Sequence, residues 1–247
     1  MTRPYQGEER IVTVPIDQVL VVVPAHNEAE DLPNCLRALA TAASACVVPV
    51  RLVAVLDNCS DGTAGVVPDG VEVLRVEHQN VGRSRATGFS AFGSDLGASA
   101  WFTTTDADSV VGLTWIARQL EYARTADVVA GTVRIADWEG HPHSVRERYE
   151  RMYHEHPYGR HGHVHGANLG VRADMYWSVG GFSDLEEDED VDLVRRLSEA
   201  GACIAWAEDI AVTTSARLDG RTPGGFAGHI RNLGGTTADN EEAELAR

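Results

Sequence analysis

Short apolar runs alternate along the chain with stretches whose apolar residues recur at helical spacing. Val19 to Val23 is one such run, stopped by Pro24, and Leu32, Leu36 and Leu39 then follow on one helical face. The order returns with Val50 to Leu56, the turn Asp57 to Thr63 and a short helix to about Val67. It returns again with Val71 to Val76 and a helix over Gly82 to Leu96. Trp101 to Thr105, a helix from about Leu113 to Arg124 and a fifth strand over Val128 to Val133 complete the series. Strands alternating with helices predict right-handed β-α-β crossovers. The expected fold class is therefore α/β, with a mostly parallel central sheet and helices on both faces. Ligands of such sheets bind beyond the carboxyl ends of the strands. The Pro24–Glu28 loop, Asp57 and Asp106 all fall at such ends.

After Arg134 the texture changes. Residues 137–165 hold seven of the ten histidines, and a short helix is predicted near Val145 to His154. Their H-x-H spacings would suit a metal, but no further ligand is patterned with them, so composition favours a polar loop. The segment H-G-A-N-L-G-V-R (His165 to Arg172) leads to a helix around Ala173 to Val179, the turn G-G-F at Gly180 to Phe182, an acidic run and a helix to about Ala200. Two short strands are expected near Cys203 to Trp206 and Ile210 to Thr214. The tail from Arg217 reads as irregular apart from a helix around Phe226 to Leu233. With neither an internal repeat nor a linker between two cores, one domain over residues 18–217 is expected, in halves 18–134 and 135–217. A polar segment 1–17 and a tail 218–247 flank it.

Composition narrows the partners. Of 247 residues 43% are hydrophobic, which is ample for a core of this size. A formal charge of −16 argues against nucleic acid and against electrostatic docking on anionic lipid, since both need basic patches. Cys35, Cys46, Cys59 and Cys203 lie far apart without a C-x-x-C pair, which suggests neither a zinc site nor a disulfide framework and suits a reducing cytoplasm. The first residues lack the apolar core of a signal peptide, and no run reaches the length of a membrane span. A cytoplasmic protein without an integral membrane segment is expected.

Five stretches carry candidate chemistry. In W-F-T-T-T-D-A-D-S (Trp101 to Ser109) a β-prone run ends in Asp106 and Asp108, which point the same way if the backbone stays extended. Such a pair would seat Mg2+ or Mn2+ beside a diphosphate, although a turn with solvated aspartates has the same sequence. P-A-H-N-E (Pro24 to Glu28) offers the donor and acceptor of Asn27, with Glu28 near a helix start, and an ordinary helix cap reads alike. Asp57 could accept the ring N–H of uracil or guanine, or cap the turn that follows it. In G-R-S-R-A-T-G (Gly82 to Gly88), Arg85 falls in line with Phe89, Phe92 and Leu96 and is the better diphosphate or base-edge ligand, while Arg83 projects away. In E-E-D-E-D-V-D (Glu186 to Asp192), Asp190 shares the face of Leu193, Val194 and Leu197, whereas Glu189 and Asp192 point to the opposite side. Partial desolvation there would raise its proton affinity and suit a general base.

Taken in order, these segments resemble the family-2, inverting glycosyltransferases of the GT-A fold, a single Rossmann-like domain, from about Val19 to Arg217. V-V-V-P-A-H-N-E is similar to the family's opening strand and nucleotide loop, and L-D-N-C-S-D-G-T to its D-D-G-S-x-D-G-T turn. V-G-R-S-R-A-T-G resembles its x-G-x-x-A-R-N-x-G helix start, and D-A-D its metal motif. G-A-N-L-G-V-R with V-G-G-F resembles the acceptor-side segment, and E-D-V-D-L-V-R-R-L the helix that carries the base. The resemblance implies that Pro24, Ala25, Asn27, Glu28, Asp57 and Arg85 line the nucleotide site and that Asp108 is the direct metal ligand. Asp106 would contact ribose or metal-bound water, and Asp190 would be the catalytic base. If Asp57 reads the base, a UDP- or GDP-sugar donor is favoured, and the polar His/Arg/Tyr-rich insertion and a short tail without a membrane helix favour a soluble small-molecule or saccharide acceptor over a polyprenyl lipid. Asn58 stands where the family has the second aspartate of its turn, and Ala86 and Thr87 where it often has Asn and a small residue. A third metal ligand would fall to His229 or to a histidine of the 141–165 loop. Two rivals remain: a nucleotidyltransferase of similar layout, which would carry a Gly-rich basic loop after its first strand, and a non-catalytic nucleotide-sugar binding module.

Overall fold

The computed structural model describes residues 14–135, 138, 140, 142–154 and 162–215. Eight strands form its sheet: β1 (Gln18–Ala25), β2 (Val50–Asp57), β3 (Glu72–Val76), β4 (Ala100–Thr104), β5 (Ser109–Val110), β6 (Val128–Ile135), β7 (Leu169–Arg172) and β8 (Ile204–Thr214). The helices are α1 (Leu32–Ser44), α2 (Val81–Gly93), α3 (Trp115–Tyr122), α4 (His143–His154), α5 (Ala173–Ser178) and α6 (Glu189–Glu199). Strand order is β3-β2-β1-β4-β7-β6-β8-β5. The left half is parallel throughout, while β7 runs antiparallel to both β4 and β6, and β5 antiparallel to β8. The sheet is thus mixed but mostly parallel, as the alternating pattern predicts.

Alternation of side chains across the strands divides the core into two layers. Val19, Val21 and Val23 of β1 join Leu36 and Leu39 of α1 and Ile116 of α3 on one face. Leu20 and Val22 join Phe89 of α2, Tyr176 of α5 and Leu193 and Leu197 of α6 on the other. Phe89 stacks on Phe102 of β4 at 4.8 Å between ring centroids. Truncating such a ring to alanine costs about 3–5 kcal/mol. Helix α2 lies close to the sheet because a Cβ at Gly88 would come within 2.6 Å of Val22 Cγ1. That close approach settles where the N-terminus of α2 meets the cleft.

Several boundaries differ from those read in the sequence. Strand β1 continues through Pro24 to Ala25 in register with β2, whereas its pairing to β4 ends at Val22. A proline is tolerated where one flank of the ladder has already stopped. The helix expected to reach Val67 is a 3-10 turn over Gly62–Gly65. The two short strands near residues 203–214 are one strand, β8, whose register against β6 slips between Gly131 and Thr132. Tyr122 and Arg118 of α3 bind Asp209 and hold that bulge against the helix. The segment 1–13, residues 136, 137, 139, 141 and 155–161, and the tail from 216, with the helix expected over Phe226 to Leu233 and His229, lie outside the described residues. Among the described residues no helix is long and apolar enough to cross a membrane.

Candidate active site

The cleft opens at the carboxyl ends of β1, β2 and β4, and its first wall is two loops stitched together. Asn27 sits at φ 53°. Its side-chain oxygen accepts the N–H groups of Ser60 (2.8 Å) and Asp61 (3.3 Å), and its amide nitrogen lies 3.3 Å from His26 Nε2. The Glu28 N–H donates to Thr63 Oγ1 at 2.7 Å, and the Glu28 side chain is buried. Helix α1 begins only at Leu32, whose N–H donates to the Glu28 carbonyl. Asn27 and Glu28 thus fasten the first loop to the second before the helix starts.

Asp57 closes the next turn. One carboxylate oxygen accepts the N–H groups of His78 (2.7 Å) and Gln79 (2.9 Å); the other accepts the Asn80 N–H (3.0 Å) and the Ser84 hydroxyl (2.9 Å). Burial raises its proton affinity, but these four bonds, led by the Gln79 N–H, outweigh it and hold the carboxyl below its ordinary range. Of the two sequence readings, base acceptor and turn cap, the second has its partners in the structure, at the β3–α2 junction rather than in the following turn: four donors of its own chain, because the β3–α2 loop presents three consecutive amides that need an acceptor. The Asn80 side chain then caps α2 through the Arg83 N–H and reaches the Leu185 carbonyl at 2.7 Å, tying this loop to the approach of α6.

The acidic tip is a turn. Strand β4 ends at Thr104, and the Ser109 N–H donates to the Asp106 carbonyl at 3.0 Å, so the extended backbone expected through Asp106 and Asp108 does not persist. Antiparallel pairing of β5 with the end of β8 makes the chain double back here. The Cys35 thiol donates to the same carbonyl from below at 3.3 Å. Burial first, then the charges of Asp106, Asp108 and Glu28, push that thiol far up. Asp106 binds Arg85 Nη2 at 2.7 Å, and Asp108 accepts the Thr214 hydroxyl at 3.3 Å.

Arg85 stands at the centre, and its side chain is only 3% exposed. Nη2 meets Asp106, Nη1 meets Glu189, and the guanidinium carbon lies 5.6 Å from the centroid of the Phe182 ring. Gly166 backs against it, and a Cβ there would sit 2.4 Å from Nη2. Glu189 is the first residue of α6; its Cγ would lie 2.9 Å from a Cβ at Gly82. The helical wheel turns Glu189 outward, which is corrected here: the first turn of α6 abuts the first turn of α2, so that side faces protein. Arg83, by contrast, is solvated as expected.

Asp190 follows on the same turn. Its carboxylate accepts the Gly166 N–H at 2.5 Å and its neighbour Val191 N–H at 2.8 Å. Burial, then the charge of Glu189, raise its carboxyl to about 6 against the opposing pull of Arg85 and these two bonds. Asp192 goes the other way, held down to about 2 by Ser183 first and then by Arg195 and Arg196. Two residues beyond Gly166, the buried Asn168 side chain accepts from Trp115 Nε1 (2.9 Å) and donates to the carbonyls of Thr132 and Ile210. Glu189, Gly166 and Asn168 are not among the site residues read from the sequence; the signals there were the acidic run Glu186 to Asp192 and the resemblance of G-A-N-L-G-V-R to the acceptor-side segment.

Asp106 and Asp108 are the carboxylates of the tip that could hold a divalent cation. Among the described residues no group of three or more His, Cys, Asp or Glu could hold a metal by itself. One arginine faces Asp106, Glu189 and Asp190, so the cluster keeps excess negative charge, with Asp108 beside it. A hard cation on this turn would draw its remaining ligands from phosphate and water.

A mixed, mostly parallel α/β sheet with an acidic turn after β4 is the architecture of the GT-A fold. The sequence profile of glycosyl transferase family 2 matches residues 20–180, and the chain belongs to that family. Solved structures agree on the fold. The mannosyltransferase PcManGT from Pyrobaculum calidifontis, in complex with GDP-Man and Mn2+, is similar at TM-score 0.63 and 18% identity, covering 89% of this chain and 62% of that one. TarS of S. aureus in complex with UDP-GlcNAc is similar at TM-score 0.60 and 15% identity, covering 85% of this chain and 61% of that one. The chain spans 37% of a longer TarS chain. No curated protein matches the sequence.

Proposed function

We propose that the protein transfers a sugar from a nucleoside-diphosphate donor to a hydroxyl acceptor, with inversion at the anomeric carbon. The observation that carries this reading is Asp190: a partly buried carboxylate, held by the Gly166 amide, that titrates near 6. In the proposed step the acceptor oxygen attacks the anomeric carbon as its proton passes to Asp190. The bond from that carbon to the diphosphate breaks, and the nucleoside diphosphate leaves. A positioned base of this kind contributes roughly 10²–10⁴ in rate.

The donor would lie along the first loop, lined by Pro24, Ala25, Asn27 and Glu28, with Asp57 shaping the far wall through the His78–Asn80 amides. Asp106 and Asp108 would hold Mg2+ or Mn2+. Such a cation offsets negative charge on a departing diphosphate. The complexes of PcManGT with GDP-Man and Mn2+ and of TarS with UDP-GlcNAc support a GDP- or UDP-sugar as the donor class. The P-A-H-N-E loop, without glycine or a basic pair, is poorly suited to the triphosphate of a nucleotidyltransferase.

A thermal-shift titration with UDP, GDP and their sugars, with and without Mn2+, tests this. A rise in melting temperature that requires both nucleotide and metal is expected, and Asp108→Ala should abolish the metal-dependent part. A protein indifferent to every nucleoside diphosphate would end the proposal.

A further inference from the structure

The polar groups of the cleft fall on three separate elements, and one side chain joins them. Asp106 belongs to the turn after β4, Glu189 and Asp190 to the first turn of α6, and Arg85 to α2. The two terminal nitrogens of Arg85 are divided between Asp106 and Glu189, while its Nε is buried without a hydrogen-bond partner. The guanidinium is therefore spent on holding protein to protein. With Gly166 against it, Phe182 near it and a side chain 3% exposed, it has no open side on which to meet a diphosphate without breaking one of these pairs.

The local backbone is built to bring Glu189 to that point. Asp188, just before α6, adopts φ 58°, a left-handed conformation that costs a non-glycine residue energy and turns the helix start inward. Gly82 leaves room for the Glu189 side chain, and Asn80 holds the Leu185 carbonyl a few residues earlier. These devices converge on Glu189, to which the proposed reaction assigns no step.

We propose that Glu189 is a positioning residue: it holds Arg85, and through Arg85 it fixes the Asp106 turn to the helix that carries Asp190, so that the donor side and the base side of the cleft keep one relative geometry. The assignment of sides rests on the transferase reading above; the mechanical link does not. Glu189 makes no contact with reactants in this scheme. Its charge and that of Arg85 are the ionic neighbours that bear on Asp190, beside the N–H groups of Gly166 and Val191.

Two measurements on the full chain test it, with Glu189→Gln as an isosteric variant and Arg85→Lys as a second one in case the first folds poorly. Hydrogen exchange followed by mass spectrometry should show the Thr104–Val110 segment of either variant exchanging roughly tenfold faster, with β3 unchanged. Exchange unaltered at that segment, or raised equally everywhere, overturns the link. With a donor and Mn2+, Glu189→Gln should lower kcat roughly tenfold or more while donor KM stays within about threefold. The acid limb of its kcat profile should also move to lower pH, because Asp190 loses a like charge. An unmoved limb would reduce Glu189 to simple packing and overturn the proposal. If the unaltered protein moves no sugar from any donor, the transferase reading fails, and hydrogen exchange alone still decides whether Glu189 governs the Asp106 turn.

Discussion

Two carboxylates at the rim of the same cleft, Asp57 and Asp190, have opposite fates. Asp57 accepts four hydrogen bonds from its own chain and is held below the ordinary carboxyl range. Asp190 accepts two, stands beside Glu189 and is raised to about 6. Asp57 is buried and Asp190 partly so, and burial raises the proton affinity of each; the number of donors and the sign of the nearest charge give them opposite directions. A saturated carboxylate is scaffold, whereas one left short of donors next to a like charge keeps its affinity for a proton.

Asp190→Asn should break this comparison with the largest effect. Loss of roughly 10²–10⁴ in transfer rate is expected, with nucleotide affinity within a few-fold by calorimetry. In the unaltered enzyme kcat should fall as pH drops through about 6, where Asp190 takes up its proton. Stability has the reverse sense. Because the folded carboxyl titrates near 6 and the unfolded one near 3.8, the folded state binds more protons between those values, and stability falls as pH rises across them. Ionised Asp190 then costs on the order of 2–3 kcal/mol above that window. Asp190→Asn should accordingly melt higher than the unaltered protein at pH 8 and equally at pH near 4. A variant that turns over normally, or that melts lower at alkaline pH, would remove Asp190 from this role.

Asp57→Ala comes next, and its expected loss is structural. Stranding three amides and a hydroxyl should cost about 3 kcal/mol in urea unfolding, with weaker nucleotide binding as a consequence. Unchanged stability with nucleotide binding lost would return Asp57 to base reading. The smallest effect is expected at Arg83→Ala. Its pair with Asp184 is 3.7 Å long and exposed, so stability and donor affinity should stay within about 0.5 kcal/mol.

The strand–helix alternation, the two-faced sheet and the inward face of Arg85 and Asp190 were legible because they are local. Apolar runs set strands, and a helical wheel orders residues along one element. Glu189 was misread for the same reason: a wheel knows one helix, and at its first turn α6 meets α2 rather than solvent. The Asp106–Ser109 turn and the bulge in β8 likewise depend on partners far away in sequence.

The order of strands and helices, the material of both core layers and the positions where chemistry concentrates follow from the amino-acid sequence by itself, because hydrophobic periodicity and chain punctuation act within a few residues. Which carboxylate is saturated, which has its proton affinity raised and which only holds an arginine was decided by tertiary structure alone. Those properties depend on donors and charges that Asn80, Gly166 and Glu189 bring from separate elements, and low-dielectric contact between such groups exists only once the sheet has assembled.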